Sequence, residues 1–165
     1  MWTTRRETLT DVDAVRGVET AAFPTTSEAD LVDALRADPD AWLDLSFVST
    51  LDEEVVGHAL LTRCHVDGAP ALALAPCAVV PRHQGRGAGA AAIHAALEAA
   101  GESGENLVVV LGHPDYYPRF GFTPASDRGV RAPFDVPDEA FLTLPLDASR
   151  PTPRGLVRYP PAFGG

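Results

Sequence analysis

The sequence contains no lysine, only two cysteines and no long apolar run. All 13 basic residues are arginine, against 23 acidic residues, and the net charge of −10 argues against a nucleic-acid partner, because that binding needs a basic face. Cys64 and Cys77 are unclustered, which argues against a disulfide framework, and Cys64-His65 has no further ligands at zinc spacing. No segment approaches the roughly 20 apolar residues of a membrane span, and no signal peptide is recognisable. We therefore expect a cytoplasmic protein with no metal, no nucleic-acid partner and no membrane partner.

Length and composition predict a single domain over residues 1–165. A chain of 165 residues with 45% hydrophobic residues is long enough for one well-buried core and too short for two ordinary domains.

The first half of the chain reads as two helices followed by three antiparallel strands. The helices begin near Asp11 and at Ser27, and the strands cover 45–51, 55–66 and 72–80. Pro76 interrupts the third strand, and because proline has no N–H it predicts a bulge or an edge there.

The second half begins with an Ala-rich helix and a buried-type strand. The helix is predicted from Gly87 to about Ala100, with Gly101 as its stop, and the strand covers 107–111. A strand, helix, strand unit of this kind implies a parallel crossover. One further strand is predicted over 141–146.

The loop between the third strand and this helix is the most informative segment. Three alternate glycines, Gly85, Gly87 and Gly89, open directly into the helix. A turn of this kind leaves backbone N–H groups unpaired at the positive end of the helix dipole, and glycines let a ligand approach them closely. The loop also concentrates positive side chains in an acidic protein: Arg82, His83 and Arg86. The pattern predicts a phosphate site.

Two other interpretations of the loop are open at this stage. Residues 85–90 satisfy the loose dinucleotide pattern G-x-G-x-x-A, but that pattern opens a βαβ unit directly after its first strand, whereas here an antiparallel meander precedes it. The three glycines could alternatively form a flexible turn without a ligand.

The sequence resembles the GNAT superfamily of acetyl-CoA-dependent N-acetyltransferases. One family motif, [Gln/Arg]-x-x-Gly-x-[Gly/Ala] at a helix start, is matched by residues 84–89. A second, an aromatic pair before Gly-Phe, is matched by residues 116–122, in the expected order after one helix and one strand. The tail resembles the YhbS-like branch of predicted acetyltransferases. The resemblance implies an α/β (α+β) fold with a mixed, mostly antiparallel sheet, a splayed parallel strand pair and helices on both faces.

The resemblance also implies a site for acetyl-CoA. The backbone of Cys77, Ala78 and Val79 would pair with the pantetheine arm as an added strand does, with one N–H facing the thioester carbonyl. The pyrophosphate would lie on the loop N–H groups, with Arg82 or Arg86 adding charge-assisted bonds. The implied loop residues are Gln84, Gly85, Arg86, Gly87, Ala88, Gly89 and Ala90.

Tyr117 is the residue that the resemblance assigns to catalysis. It occupies the position from which family members protonate the departing CoA thiolate, while Tyr116 is expected to pack in the core. Some members carry a Glu as general base at the position of Ala73, so the base is unassigned here. His58, His113 and water are the candidates.

Two functions follow from this site. The first is transfer of an acetyl group from acetyl-CoA to a primary amine of a small molecule or peptide, by direct attack in a ternary complex. The second is a non-catalytic acyl-CoA-binding or regulatory module, favoured by the missing Glu. The sequence assigns no acceptor or acyl chain preference, and it leaves a homodimer open.

Overall fold

The computed structural model describes residues 2–164, so that residues 1 and 165, the ends of the predicted domain, lie outside it. The helices are α1 (Val12–Ala22), α2 (Ser27–Arg36) and α3 (Ala88–Glu102). The strands are β1 (Thr3–Arg6), β2 (Trp42–Leu51), β3 (Glu54–Val66), β4 (Ala69–Val79), β5 (Leu107–Leu111), β6 (Thr123–Pro124), β7 (Val130–Arg131), β8 (Phe141–Pro145) and β9 (Gly155–Arg158).

The sheet is mixed and mostly antiparallel, in the order β1-β2-β3-β4-β5-β8-β6, with β9 joining β3 to β7. Strands β4 and β5 form a parallel pair through only two residue pairs, Leu72 with Val108 and Ala73 with Val109. Beyond Ala73 no residue of β4 pairs with β5 within residues 2–164. The two strands therefore separate toward the glycine loop, which confirms the predicted splayed parallel pair.

A bulge in β4 lies at the proline that predicted it. Ala59 of β3 pairs with Cys77 while Leu61 pairs with Leu74, so β4 carries one extra residue where Pro76 lies. An extra residue reverses the alternation of side chains. As a result, Cys77 faces the same side of the sheet as Leu74.

Helices cover both faces of the sheet, as predicted. Phe47 and Leu61 pack in one core cluster with α3. Their neighbours Val48 and Leu60 pack in another with α1 and α2. Since adjacent strand residues point to opposite faces, α3 covers one face and the N-terminal helices the other. The C-terminal segment extends this second covering, because Ala73 and Val109 pack with residues of β8 and β9.

Three boundaries differ from those predicted. Gly101 lies inside α3, and the chain leaves the helix at Gly104, whose φ of +86° suits a glycine. Strands β2 and β4 begin at Trp42 and Ala69, each three residues earlier than predicted. Four short strands, β1, β6, β7 and β9, were not predicted, because segments of two to four residues carry too little alternation to be recognised.

Candidate functional site

The loop before α3 presents a row of free backbone donors. Gly85 and Gly87 have φ of +76° and +91°, conformations that favour glycine. Within residues 2–164 no carbonyl or side chain accepts a hydrogen bond from any N–H between Gly85 and Ala90. Six consecutive donors therefore lie at the positive end of the α3 dipole, an arrangement suited to an anion.

Residues from distant parts of the chain hold this loop. Trp2 donates its indole N–H to the carbonyl of Arg86 over 2.8 Å, and Ser49 donates its hydroxyl to the carbonyl of Ala88 over 2.5 Å. A Cβ on Gly57 would lie only 3.3 Å from the Ser49 Cβ, so glycine lets β3 run close to this contact. Sequence reasoning missed all three residues, because none belongs to a motif and each acts through a long-range contact.

The two loop arginines and Gln84 differ in whether their side chains already have a partner within the protein. Arg82 forms an ion pair with Glu54, whereas Arg86 forms none with any residue from 2 to 164. The Gln84 side chain donates to the carbonyl of Val79 over 3.0 Å. Gln84 therefore links the loop to the end of β4, and Arg86 is the arginine available to a bound anion.

The predicted pantetheine strand has one open edge. Cys77, Ala78 and Val79 pair with β3 on one side and lie past the point where β5 separates from β4 on the other. In such a strand alternate residues direct N–H and C=O toward the open side, where an extended ligand can pair.

The Cys77 side chain packs against the core cluster on the α3 face. Burial, followed by the nearby charge of Glu19, raises the pKa of the Cys77 thiol to about 12. A thiol with this pKa is protonated at neutral pH and is a poor nucleophile. The side chain is therefore not a candidate nucleophile, and the pairing of the Cys77 backbone with the pantetheine arm stays a prediction.

Tyr117 lies next to this open edge. Its ring packs edge-on against Tyr116, at 5.1 Å between centroids, and against Phe122, at 6.0 Å. The hydroxyl is close to the Cys77 thiol, and burial, with Cys77 next, raises the pKa of Tyr117 well above its usual range. The phenol therefore keeps its proton at physiological pH.

Gly112 makes the room for Tyr117. A Cβ at position 112 would overlap the Tyr117 ring, so no larger residue fits without moving the tyrosine. Sequence reasoning missed Gly112. The available signal was a glycine directly after the central strand, four residues before the aromatic motif.

The two histidine candidates for a general base differ in accessibility. His58 is completely buried; its Nδ1 lies 2.7 Å from Oε2 of Glu19, and its Nε2 lies 2.8 Å from Oγ of Ser46. Both ring nitrogens are thus occupied, and His58 is not placed to meet a substrate directly. His113 is exposed, and its carbonyl accepts the N–H groups of Tyr116 and Tyr117.

A cavity of about 960 Å³ opens at the separated strands. Ala73 and Val109 contribute to its lining and belong to the face covered by the C-terminal segment. Tyr117 packs in the cluster on the α3 face. The cavity and Tyr117 therefore approach the gap between β4 and β5 from opposite faces of the sheet.

The class of protein follows from comparison with known families. The model of the acetyltransferase (GNAT) family matches residues 12–122, and the chain belongs to this family. The protein is an acetyltransferase, which confirms the prediction from the two motifs.

Three relatives cover nearly the whole chain. The uncharacterized N-acetyltransferase YjhQ of Escherichia coli strain K12 is 42% identical over 156 residues, which cover 90% of this chain and 86% of YjhQ. The crystal structure of the GNAT family N-acetyltransferase YhbS from Escherichia coli, in complex with CoA, superimposes with a TM-score of 0.92 at 29% identity, covering 99% of this chain and 92% of YhbS. The crystal structure of a GNAT family acetyltransferase from Brucella melitensis, in complex with acetyl-CoA, gives a TM-score of 0.81 at 30% identity. The match covers 99% of this chain and 98% of the Brucella chain. The YhbS-like branch predicted from the tail agrees with these relatives.

Two further properties concern residues 2–164. They contain no group of three or more His, Cys, Asp or Glu side chains placed to hold a metal ion. None of their helices combines the length and apolar character needed to cross a bilayer.

Proposed function

We propose that this acetyltransferase binds acetyl-CoA at the glycine loop and moves the acetyl group to a primary amine by direct attack in a ternary complex. The row of six free N–H donors from Gly85 to Ala90 is the observation that carries the proposal. The YhbS and Brucella relatives, in complex with CoA and acetyl-CoA, support the same ligand here. When bound, acetyl-CoA supplies an activated thioester.

The residues of the chain then have separate roles. The loop donors and Arg86 bind the pyrophosphate, and the open edge of Cys77 to Val79 aligns the pantetheine arm. One N–H of that edge donates to the thioester oxygen as negative charge develops on it. Such alignment in favourable cases is worth up to roughly 7 to 11 kcal/mol of the barrier.

Two proton movements complete the reaction. The attacking amine must be neutral, so its ammonium proton leaves to water or to His113, the exposed histidine beside the tyrosine turn. Tyr117 donates its phenolic proton to the leaving thiolate and regains one from solvent. The cavity admits the amine from the face opposite Tyr117, so entry of the acceptor does not compete with departure of the thiol. We propose that this reaction takes place in the cytoplasm. Whether the protein forms a homodimer is left open by the sequence.

Thiol release from acetyl-CoA with a panel of primary amines tests the proposed function. We expect release only when an amine is present, with one acetylated amine formed for each thiol, identified by mass spectrometry. A protein that binds acetyl-CoA in a calorimeter but releases no thiol with any amine would instead be the non-catalytic binding module.

A further inference from the structure

The cavity at the separated strands is the feature that the proposed function leaves unspecified. It lies over the gap between β4 and β5, with Ala73, Ala75 and Val109 among its lining residues. Ala73 and Val109 are buried beneath the C-terminal segment, whereas Ala75 is partly exposed, so the cavity meets β4 at Ala75, two residues before Cys77. A molecule in the cavity would therefore reach the region where the proposal places the acetyl group.

The walls of this cavity are mostly apolar and include three aromatic side chains, Phe134, Tyr159 and Phe163. Phe134 and Tyr159 are stacked, with ring planes at 19° and centroids 6.2 Å apart, and Phe163 lies 5.0 Å from Tyr159. Its volume falls within the range of small-molecule sites. Such walls accommodate a ligand that carries a flat or bulky apolar group.

Exposed apolar side chains concentrate at the same place. Residues 2–164 contain four exposed large hydrophobic side chains, and three of them line this cavity: Leu111 at 50%, Phe134 at 43% and Leu156 at 42%. The fourth, Leu9, lies elsewhere. Clustered exposed apolar surface is typical of a binding site, whereas scattered residues are not.

The charge of the lining is opposite to that of the protein. The chain carries 23 acidic residues, yet among residues 2–164 no Asp or Glu side chain lines the cavity, and the charged side chain in the lining is Arg158. An acceptor amine that loses its proton before attack is neutral, so it needs no negatively charged partner in the cavity. A second ammonium on the same molecule would stay charged in apolar surroundings beside the guanidinium of Arg158, which is unfavourable.

We propose that the acceptor is a monoamine on an aromatic or bulky apolar body, bound in this cavity, and that polyamines and other polycations are poor acceptors. This inference rests on the proposed acetyl transfer and specifies its substrate class.

The test compares 2-phenylethylamine with 1,5-diaminopentane, a primary amine of similar length that carries a second ammonium. We expect kcat/KM to be about 10-fold or more higher for 2-phenylethylamine, the discrimination typical of an apolar pocket. Phe134→Ala should raise KM for 2-phenylethylamine several-fold without changing acetyl-CoA affinity. Leu9→Ala, which removes an exposed apolar side chain outside the cavity, is the matched control and should change neither quantity.

The possible failures are distinguishable. Transfer that favours the diamine, or a preference unchanged by Phe134→Ala, would overturn this inference and leave the proposed transfer standing. If no amine is acetylated, the proposed transfer fails, and calorimetry of 2-phenylethylamine with the CoA-bound protein decides the inference separately. Binding that Phe134→Ala weakens would support the apolar site, and absence of binding would overturn it.

Discussion

Residue 112 determines whether the Tyr117 ring can take its place, since only a glycine at 112 leaves space for it. The sequence motif predicted Tyr117 and separated it from Tyr116, because the spacing to Gly121 distinguishes the two. It did not predict the environment of the hydroxyl. Burial against Cys77 depends on the bulge at Pro76, which turns Cys77 toward the tyrosine, and a local pattern carries no information on that contact.

Tyr117→Phe should lower kcat by about 10²- to 10⁴-fold while acetyl-CoA affinity holds, because it deletes the proton and keeps the ring. The pKa of Tyr117 is raised by burial, so the phenol stays protonated as pH rises through its usual value of about 10. The ratio of wild-type to variant rates should therefore be constant from pH 7 to 10. Tyr116→Phe is the matched control and should cost little. A fully active Tyr117→Phe protein would assign the proton to water or His113.

His58 and Glu19 form a buried pair, and we expect it to contribute to stability rather than to proton abstraction. His58→Leu leaves the Glu19 carboxylate buried without a partner and should cost about 3 to 5 kcal/mol of unfolding free energy. The double variant Glu19→Leu/His58→Leu removes both buried polar partners and should cost less than the sum of the single variants. Urea unfolding of the four proteins measures this coupling. Additive costs would mean that the two side chains do not depend on each other.

At the scale of elements, the glycine loop works because other elements brace it. Strand, loop and helix could be predicted from residues 77–100, since their patterns are local and strong. Strand β1 could not, because it is a short polar segment whose residues Thr3–Arg6 form a strand only through pairing with β2. Trp2, directly before β1, reaches Arg86 as a consequence of that pairing.

Trp2→Phe should weaken acetyl-CoA binding about 2- to 10-fold, because it keeps an aromatic ring and removes the hydrogen bond to the Arg86 carbonyl. Calorimetric titration measures the change. Trp42→Phe is the natural control, since Trp42 is the other tryptophan and packs against Arg36, away from the loop. Equal affinities for Trp2→Phe and wild type would show that the loop holds its conformation without this contact.

For the whole molecule, the mixed sheet and its splayed strands were predictable, but the acceptor cavity was not. The C-terminal segment supplies Phe134, Tyr159 and Phe163 to the cavity, and these residues lie far apart in sequence from the strands beneath them. Strand β9, which directly precedes Tyr159, forms through pairing with β3, because its own sequence pattern does not predict a strand. Net charge does not describe the cavity either, because a chain with a charge of −10 has Arg158 and, among residues 2–164, no Asp or Glu side chain in the lining.

The central claim is that the free donors of the glycine loop bind acetyl-CoA, and calorimetric titration of a pair of glycine variants tests it most directly. Gly87→Val and Gly104→Val each place a side chain at a positive φ, +91° and +86°, at opposite ends of α3, so both carry a similar backbone strain. We predict that Gly87→Val abolishes acetyl-CoA binding, because its side chain blocks the approach to the donors, while Gly104→Val binds as wild type does. Wild-type affinity in a folded Gly87→Val protein would contradict the account.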